Sequence, residues 1–210
     1  VIPNATVKKL RDSGLTVYKF EAAKSIADVR EKTTLFGKLT GNCAGATAAN
    51  AWMMENVDAA ESATSDVDEP TVLYPLGGGY FAGSDTFVSN VISTAGGQNT
   101  LAEDITGFKT VSSEVVVQKN PDMIVFTGSS SYLAGQSPYK SLDAVKNDRT
   151  VTVNTDWMNQ PAPRSVVFAV RNLTSGFHPD AAESAQFPTR AEAMQTPTST
   201  ATPTETATAT

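Results

Sequence analysis

The sequence has 210 residues, 40% hydrophobic and 18% charged, with a net charge of −6 at pH 7 and a pI near 4.8. That is an ordinary globular mix, and its sixteen Lys and Arg are scattered, which excludes the basic face a nucleic-acid binder needs. A single cysteine, Cys43, and a single histidine, His178, exclude an internal disulfide framework and a Cys/His zinc site.

The front of the chain reads as a short helix from about Ala5 to Ser13, a stop at Gly14 and a strand from Thr16 to Phe20. Next, "SIADVREKTTLFGKLTG" has an N-cap at Ser25, with Asp28 three residues on and apolar Ile26, Val29, Leu35 and Leu39, and reads as a second helix. A long Ala-rich helix follows from about Cys43 to Ala63, with Cys43 as a small residue near its start. The string "KLTGNC" superficially resembles a lipoprotein cleavage site but lacks an apolar region before it, and no signal-peptide pattern is read in the chain. No run of eighteen apolar residues suggests a membrane span.

A new unit starts at Thr71. "TVLYPL" reads as a strand, "GGGYFAGSD" as a loop, and "TFVSNVISTAGG" as a helix stopped by Gly96 and Gly97. "SSEVVVQKN" is a helix closed by Pro121, and "DMIVFT" is the next strand. "GSSSYLAGQSPYKSLDAVKND" is loop plus helix, "TVTVN" a third strand, "TDWMNQPAPR" a loop, and "SVVFAVRNLTSGFHP" the last helix, started by Pro163. Strands alternating with helices imply an α/β layer with a mostly parallel sheet. His178, past the last helix, is expected to be a solvated cap rather than a catalytic base. From Thr196, "TPTSTATPTETATAT" has no apolar period and is expected to be disordered, like an O-glycosylated stalk. The sequons at Asn4 and Asn172 fit an exported protein.

In parallel sheets, sites lie in the loops after the strands' carboxyl ends, here Gly77 to Asp85, Gly128 to Gln136 and Thr155 to Arg164. The glycines at 77, 78, 79 and 83 miss the dinucleotide spacing. They suit either a turn that needs positive φ or a flat floor offering Tyr80 and Phe81 to a large ligand. Trp157 reads as a core lid or a ligand contact, and Asp156 as a loop carboxylate or a partner to ligand. Phe108, between Gly107 and Lys109, reads as core or as a ring exposed to ligand. Ser112 can cap the helix that follows, which puts Glu114 at its second position, where a carboxylate gains about 0.3–1 kcal/mol from the helix dipole. That helix-start role and an outward-facing binding role are both open.

The strings "AGGQNTLAED", "VSSEVVVQKNPDMIVF" and "TDWMNQPAPRSVVFAVRNLTSGFHP", with the helix from Cys43, carry a resemblance over roughly residues 1 to 180. The chain resembles the solute-binding proteins of ABC importers for vitamin B12, ferric siderophores and haem, and within them the cobalamin binders. The resemblance implies an α/β fold of two lobes joined by one long rigid helix, with ligand held noncovalently between them. It divides the chain into a remnant of the first lobe (1–41), the linking helix (42–66), a complete second lobe (67–180) and a disordered Thr/Pro-rich stalk (181–210). The first lobe is thus expected to be largely missing, with the other cleft wall and a second docking glutamate. It implies ligand contacts from Gly78, Gly79, Tyr80, Phe81, Phe108, Asp156 and Trp157, and docking of Glu114 on an arginine of the permease.

The implied partners are an ABC permease with its ATPase and a small ligand, cobalamin or an iron chelate. The chain is expected to be an extracytoplasmic monomer, held at the membrane only through an anchor outside this sequence. No catalytic residue, metal site or resident cofactor is implied. A ferric-siderophore or haem receptor is the nearest alternative. A nucleotide-dependent enzyme on the same architecture is the alternative of another class, disfavoured by the scarce His and Cys and the defective glycine spacing, and a surface spacer without ligand is a third.

Overall fold

The computed structural model describes residues 2–193, the side chain of Ser130 excepted. Helix α1 (Asn4–Asp12) ends before Gly14, whose φ of 86° closes the turn. The expected strand at Thr16–Phe20 is corrected: this segment pairs with no strand among the described residues. β-type side chains alone do not make a strand; the backbone needs a ladder partner. The segment is held instead by the Arg11 guanidinium, which donates to the Val17 carbonyl at 2.8 Å, and by Lys19, which donates to Asn4 Oδ1 at 2.7 Å.

Helix α2 (Ile26–Thr40) starts with a capping box: Ser25 Oγ accepts from the Asp28 amide, and Asp28 accepts from the Ser25 amide. It ends at Gly41 in the left-handed conformation. Helix α3 (Cys43–Thr64), capped by Asn42, is 22 residues long, about 33 Å. Its buried face, which includes Trp52, Met53, Asn56, Val57 and Ala60, carries the fold's central packing. No helix among the described residues is long and apolar enough to cross a membrane.

Beyond α3 come β1 (Thr71–Leu73), β2 (Pro75–Gly77), β3 (Tyr80–Ala82), α4 (Phe87–Thr94), β4 (Gln98–Asn99), β5 (Phe108–Thr110), α5 (Ser113–Lys119), β6 (Met123–Phe126), α6 (Ser130–Gly135), α7 (Asp143–Lys146), β7 (Thr150–Thr152), α8 (Thr155–Asn159), α9 (Pro163–Phe177), α10 (Pro179–Ser184) and α11 (Arg190–Ala193). The main sheet is fully parallel, in the order β4-β1-β6-β7. Val72, Met123 and Val125 point into one core with α3, α4 and α9; Leu73 and Ile124 point into a second, with Phe81, Leu101, Val116 and Leu142. Burial on both faces is what a parallel sheet between helices requires.

A second sheet, antiparallel β2-β3-β5, takes the end of the first expected strand, Pro75 and Leu76, and part of the loop expected from Gly77 to Asp85. Gly77, Gly78 and Gly79, all at positive φ, make its hairpin tip. Asn99 ties the two sheets: its Nδ2 donates to the Ala82 carbonyl at 2.9 Å, and its Oδ1 accepts from the Leu101 amide at 3.1 Å. A further correction is α8 inside the expected loop, where Asn154 accepts from the Asp156 amide and starts a helix.

His178 is the C-cap residue of α9, as expected, but it is not fully solvated. It is half-buried, and its Nε2 meets the Gly96 carbonyl at 2.8 Å. Nor is the segment after residue 180 a stalk from its start: α10 and α11 fold back, and Ala193 is buried in the main core. The Pro188 carbonyl holds this return by accepting from Trp52 Nε1, Asn56 Nδ2 and Arg171 Nη2. The Thr/Pro-rich tail from Thr196 lies outside the described residues. The sequon at Asn172 runs along α9 with its Thr174 fully buried, a poor glycosylation acceptor, whereas Asn4 is exposed.

Candidate functional site

The chain leaves β1, β6 and β7 at one edge of the main sheet, and from β1 it runs through Tyr74 directly into β2 of the small sheet. In the small sheet Tyr80 pairs with Thr110, Phe81 with Lys109, and Ala82 with Phe108. Side chains alternate along a strand, so Tyr80 and Phe108 share one face and Phe81 lies on the other. Tyr80 and Phe108 are each 51% exposed, and Phe81 is 2% exposed. Phe81, expected to offer its ring to ligand, is therefore a core residue, packed in the cluster of Leu73, Leu101 and Ile124.

Phe108 lines a cavity of about 390 Å³. Its walls come from Ala22–Lys24 ahead of α2, from Asp85–Val88 at the start of α4, and from Met158, Asn159 and Pro161 around α8. Two contacts fix the Ala22–Lys24 wall. Lys24 Nζ donates to Asp85 Oδ2 at 2.5 Å, and the Ile26 amide donates to Asn90 Oδ1 at 2.7 Å. The hydrogen bond and charge of Asp85 hold the Lys24 ammonium above its usual pKa. Asp85 takes a φ of 58°, a strained conformation at the point where β3 gives way to α4.

Other expected site residues fall elsewhere. Gly78 and Gly79 border a different pocket behind the hairpin, where the Val111 amide donates to the Gly79 carbonyl at 3.1 Å. Trp157 is half-buried and stacks on Phe168, centroids 5.4 Å apart at 29°, with the Arg164 guanidinium over the same ring. It packs against the main core, as its reading as a core lid foresaw. Asp156 is exposed, its carboxylate accepting from Gln160 Nε2 at 2.9 Å. Thus Phe108 and the α8 loop converge on one cavity, and Asp156 and Trp157 do not line it.

Sequence reasoning missed Lys24, Asp85 and Met158. A Lys and an Asp separated by 61 residues carry no local signal, and Met158 follows the more conspicuous Asp-Trp pair.

Glu114 is exposed at the start of α5. The Ser112 hydroxyl, then its own amide, hold its carboxyl below the usual pKa. It makes no salt bridge among the described residues. The helix-start role is thus present, and the carboxylate still faces solvent. No cluster of His, Cys, Asp or Glu among the described residues could hold a metal ion.

Residues 3–156 match the family model described as periplasmic binding protein. The chain is 40% identical over 190 residues to a cobalamin-binding protein of Halobacterium salinarum, covering 84% of this chain and 51% of that one. It therefore spans about half the length of that relative. Among solved structures, it is similar to a periplasmic heme-binding protein of Roseiflexus (23% identity, TM-score 0.75, covering 86% of this chain and 73% of that one). It is also similar to the periplasmic vitamin B12 binding protein of Vibrio cholerae (23% identity, TM-score 0.69, covering 83% and 69%). These two likenesses bear on the fold alone, and the fold agrees with the sequence matches. The chain belongs to the periplasmic binding protein family, an α/β family whose work is binding rather than catalysis.

Proposed function

We propose that this chain captures cobalamin or another corrinoid outside the cytoplasm and hands it to the permease of an ABC importer, which its ATPase drives. The observation that carries this reading is the 40% identity to a cobalamin-binding protein over 84% of the chain. The site chemistry is compatible. Two exposed rings, Tyr80 and Phe108, on one sheet face suit a large planar ligand, which is held by stacking and apolar contact rather than by charge.

Residues up to about 41 belong, in this reading, to a first lobe, α3 is the linking helix, and the sheet domain after it is the second lobe. Support comes from the exposed apolar side chains Ile2, Leu10, Leu15, Tyr18, Phe36 and Leu39, all within that front segment. More of a first lobe would cover them and supply the facing cleft wall. Glu114 serves as a docking carboxylate for a permease arginine, for which its lack of an ion-pair partner among the described residues leaves it available.

Titration with cyanocobalamin, haemin and a ferric hydroxamate tests the ligand. Saturable cyanocobalamin binding, on the order of micromolar or tighter, is the expected result. Binding of an iron chelate without cyanocobalamin would overturn the corrinoid assignment.

A further inference from the structure

The cavity beside Phe108 is apolar over most of its wall, from Ala22, Phe87, Val88, Met158 and Pro161. Among the described residues two charged side chains line it, Lys24 and Asp85, and they are bonded to each other. A second carboxylate stands by the same lysine: Asp28 accepts from the Lys24 amide at 2.7 Å. The hydrogen bond and charge of Asp85, then the charge of Asp28, favour the Lys24 ammonium. Two cations close by in the sequence are turned away. Lys109 pairs with Phe81 across the strands, so its side chain leaves the face that carries Phe108. The Arg164 guanidinium lies over the Phe168 ring, 5.3 Å from its centroid, and borders a different groove.

The one ammonium in the cavity is therefore already answered by a carboxylate. The remaining polar side chains are neutral. The Thr86 hydroxyl is committed to the Gly83 carbonyl and the Ser89 amide, and Asn159 is an exposed carboxamide that can both donate and accept. A ligand carboxylate placed here would give up water, find no free cation and meet the charge of Asp85. A ligand carboxamide would lose less and could pair with Asn159.

We infer that the Lys24–Asp85 pair sets the charge specificity of this site: the cavity takes the neutral, carboxamide-bearing edge of a large planar ligand and rejects the same edge when it bears carboxylates. A volume of about 390 Å³ holds such an edge, with the face of the ligand on the exposed rings. The inference rests on the corrinoid reading and adds to it which periphery the cavity selects, and by which residues.

Specificity is a ratio of affinities, so the test compares cyanocobalamin with its isomeric monocarboxylates, in each of which one peripheral carboxamide is hydrolysed to a carboxylate. The native chain should bind at least one isomer about tenfold or more weakly than cyanocobalamin. Asp85→Asn frees the Lys24 ammonium, and the ratio for that isomer should fall by about tenfold, through a gain in carboxylate binding that a merely damaged site would not show. Asp85→Gly is the second variant, because Gly and Asn both tolerate the φ of 58° at this position. Lys24→Gln, which leaves Asp85 unanswered, should raise the ratio.

Equal affinity of the native chain for cyanocobalamin and every isomer overturns the inference. So does a native ratio that survives intact in both Asp85 variants. If cyanocobalamin does not bind but haemin does, the corrinoid reading fails and the same comparison is made between haemin and its dimethyl ester. Preference for the ester, lost in the Asp85 variants, then upholds the charge rule, and preference for the dicarboxylate overturns it. Binding of neither pair overturns both.

Discussion

Arg171 on α9 and Asn56 on α3, 115 residues apart, share a hydrogen bond of 2.6 Å from the guanidinium Nε to the amide oxygen. Both side chains also donate to the Pro188 carbonyl, and the Arg171 guanidinium lies 5.4 Å from the centroid of the Phe187 ring. Desolvation lowers the Arg171 pKa, the cost of placing this charge among buried groups. One polar cluster thereby joins α3, α9 and the returning C-terminal segment.

Arg171→Ala should therefore act on stability and on that segment together. Removing a donor from buried acceptors costs about 1–3 kcal/mol, and for a chain of this size each kcal/mol lowers the melting temperature by about 2–4 °C. Thermal melts check the magnitude. Limited proteolysis between Ser184 and Ala193 checks the location, because that return should be cut faster in the variant.

Adjacent residues on β3 should separate ligand binding from stability. Phe81→Ala is expected to destabilise by about 3–5 kcal/mol, as for a core aromatic. Tyr80→Ala and Phe108→Ala should leave the melting temperature nearly unchanged and weaken cyanocobalamin binding by about tenfold. Calorimetric titration alongside melts reads both. Equal destabilisation from Tyr80→Ala and Phe81→Ala would contradict the assigned faces.

Gly83 is intolerant for a steric reason. A Cβ there would lie 2.0 Å from the Ile105 carbonyl oxygen, and that neighbour is backbone, not a side chain that can swing away. The Gly83 amide also donates to the Gly107 carbonyl at 2.8 Å, next to Phe108. Gly83→Ala should cost about 1–3 kcal/mol by overpacking and weaken ligand binding through displacement of Phe108. Unchanged melting and unchanged affinity would show that this approach is slack.

Acid should loosen the join between β1 and β6. Asp122 accepts from Thr71 Oγ1 at 2.6 Å and from the Thr71 amide at 2.9 Å, and these bonds hold its carboxyl below the usual pKa. A carboxylate whose pKa is depressed on folding stabilises the fold above its unfolded pKa, and that contribution is lost as pH falls through the folded value. Asp122→Asn should cost about 1 kcal/mol at neutral pH and flatten the acid limb of a stability–pH curve. An acid limb identical to that of the native chain would remove Asp122 from the account.

The long helices were legible because their signals are local. Ser25 and Asp28 cap each other within one turn, Ser112 opens α5, Pro163 starts α9, and Gly41 ends α2. That β1, β6 and β7 run parallel followed from their alternation with helices. The small sheet was not legible, since its strands of three residues carry no periodic signal and its hairpin glycines read equally well as loop. The same limit explains Thr16–Phe20, where a strand-like composition has no described neighbour to pair with.

Residue order alone thus determined where the long helices α2, α3 and α9 run and the α/β class, because caps, prolines and glycines act within a few residues. It also determined that Glu114 is a capped, helix-start acid. Tertiary structure alone decided that Phe81 is core while Tyr80 is exposed, because the facing of a strand depends on what packs against it. It alone joined Lys24 to Asp85 and Trp52, Asn56 and Arg171 to the Pro188 carbonyl. Contacts between residues far apart in the chain exist only once packing brings them together, and the wall of the cavity beside Phe108 and the returning segment are both made of such contacts.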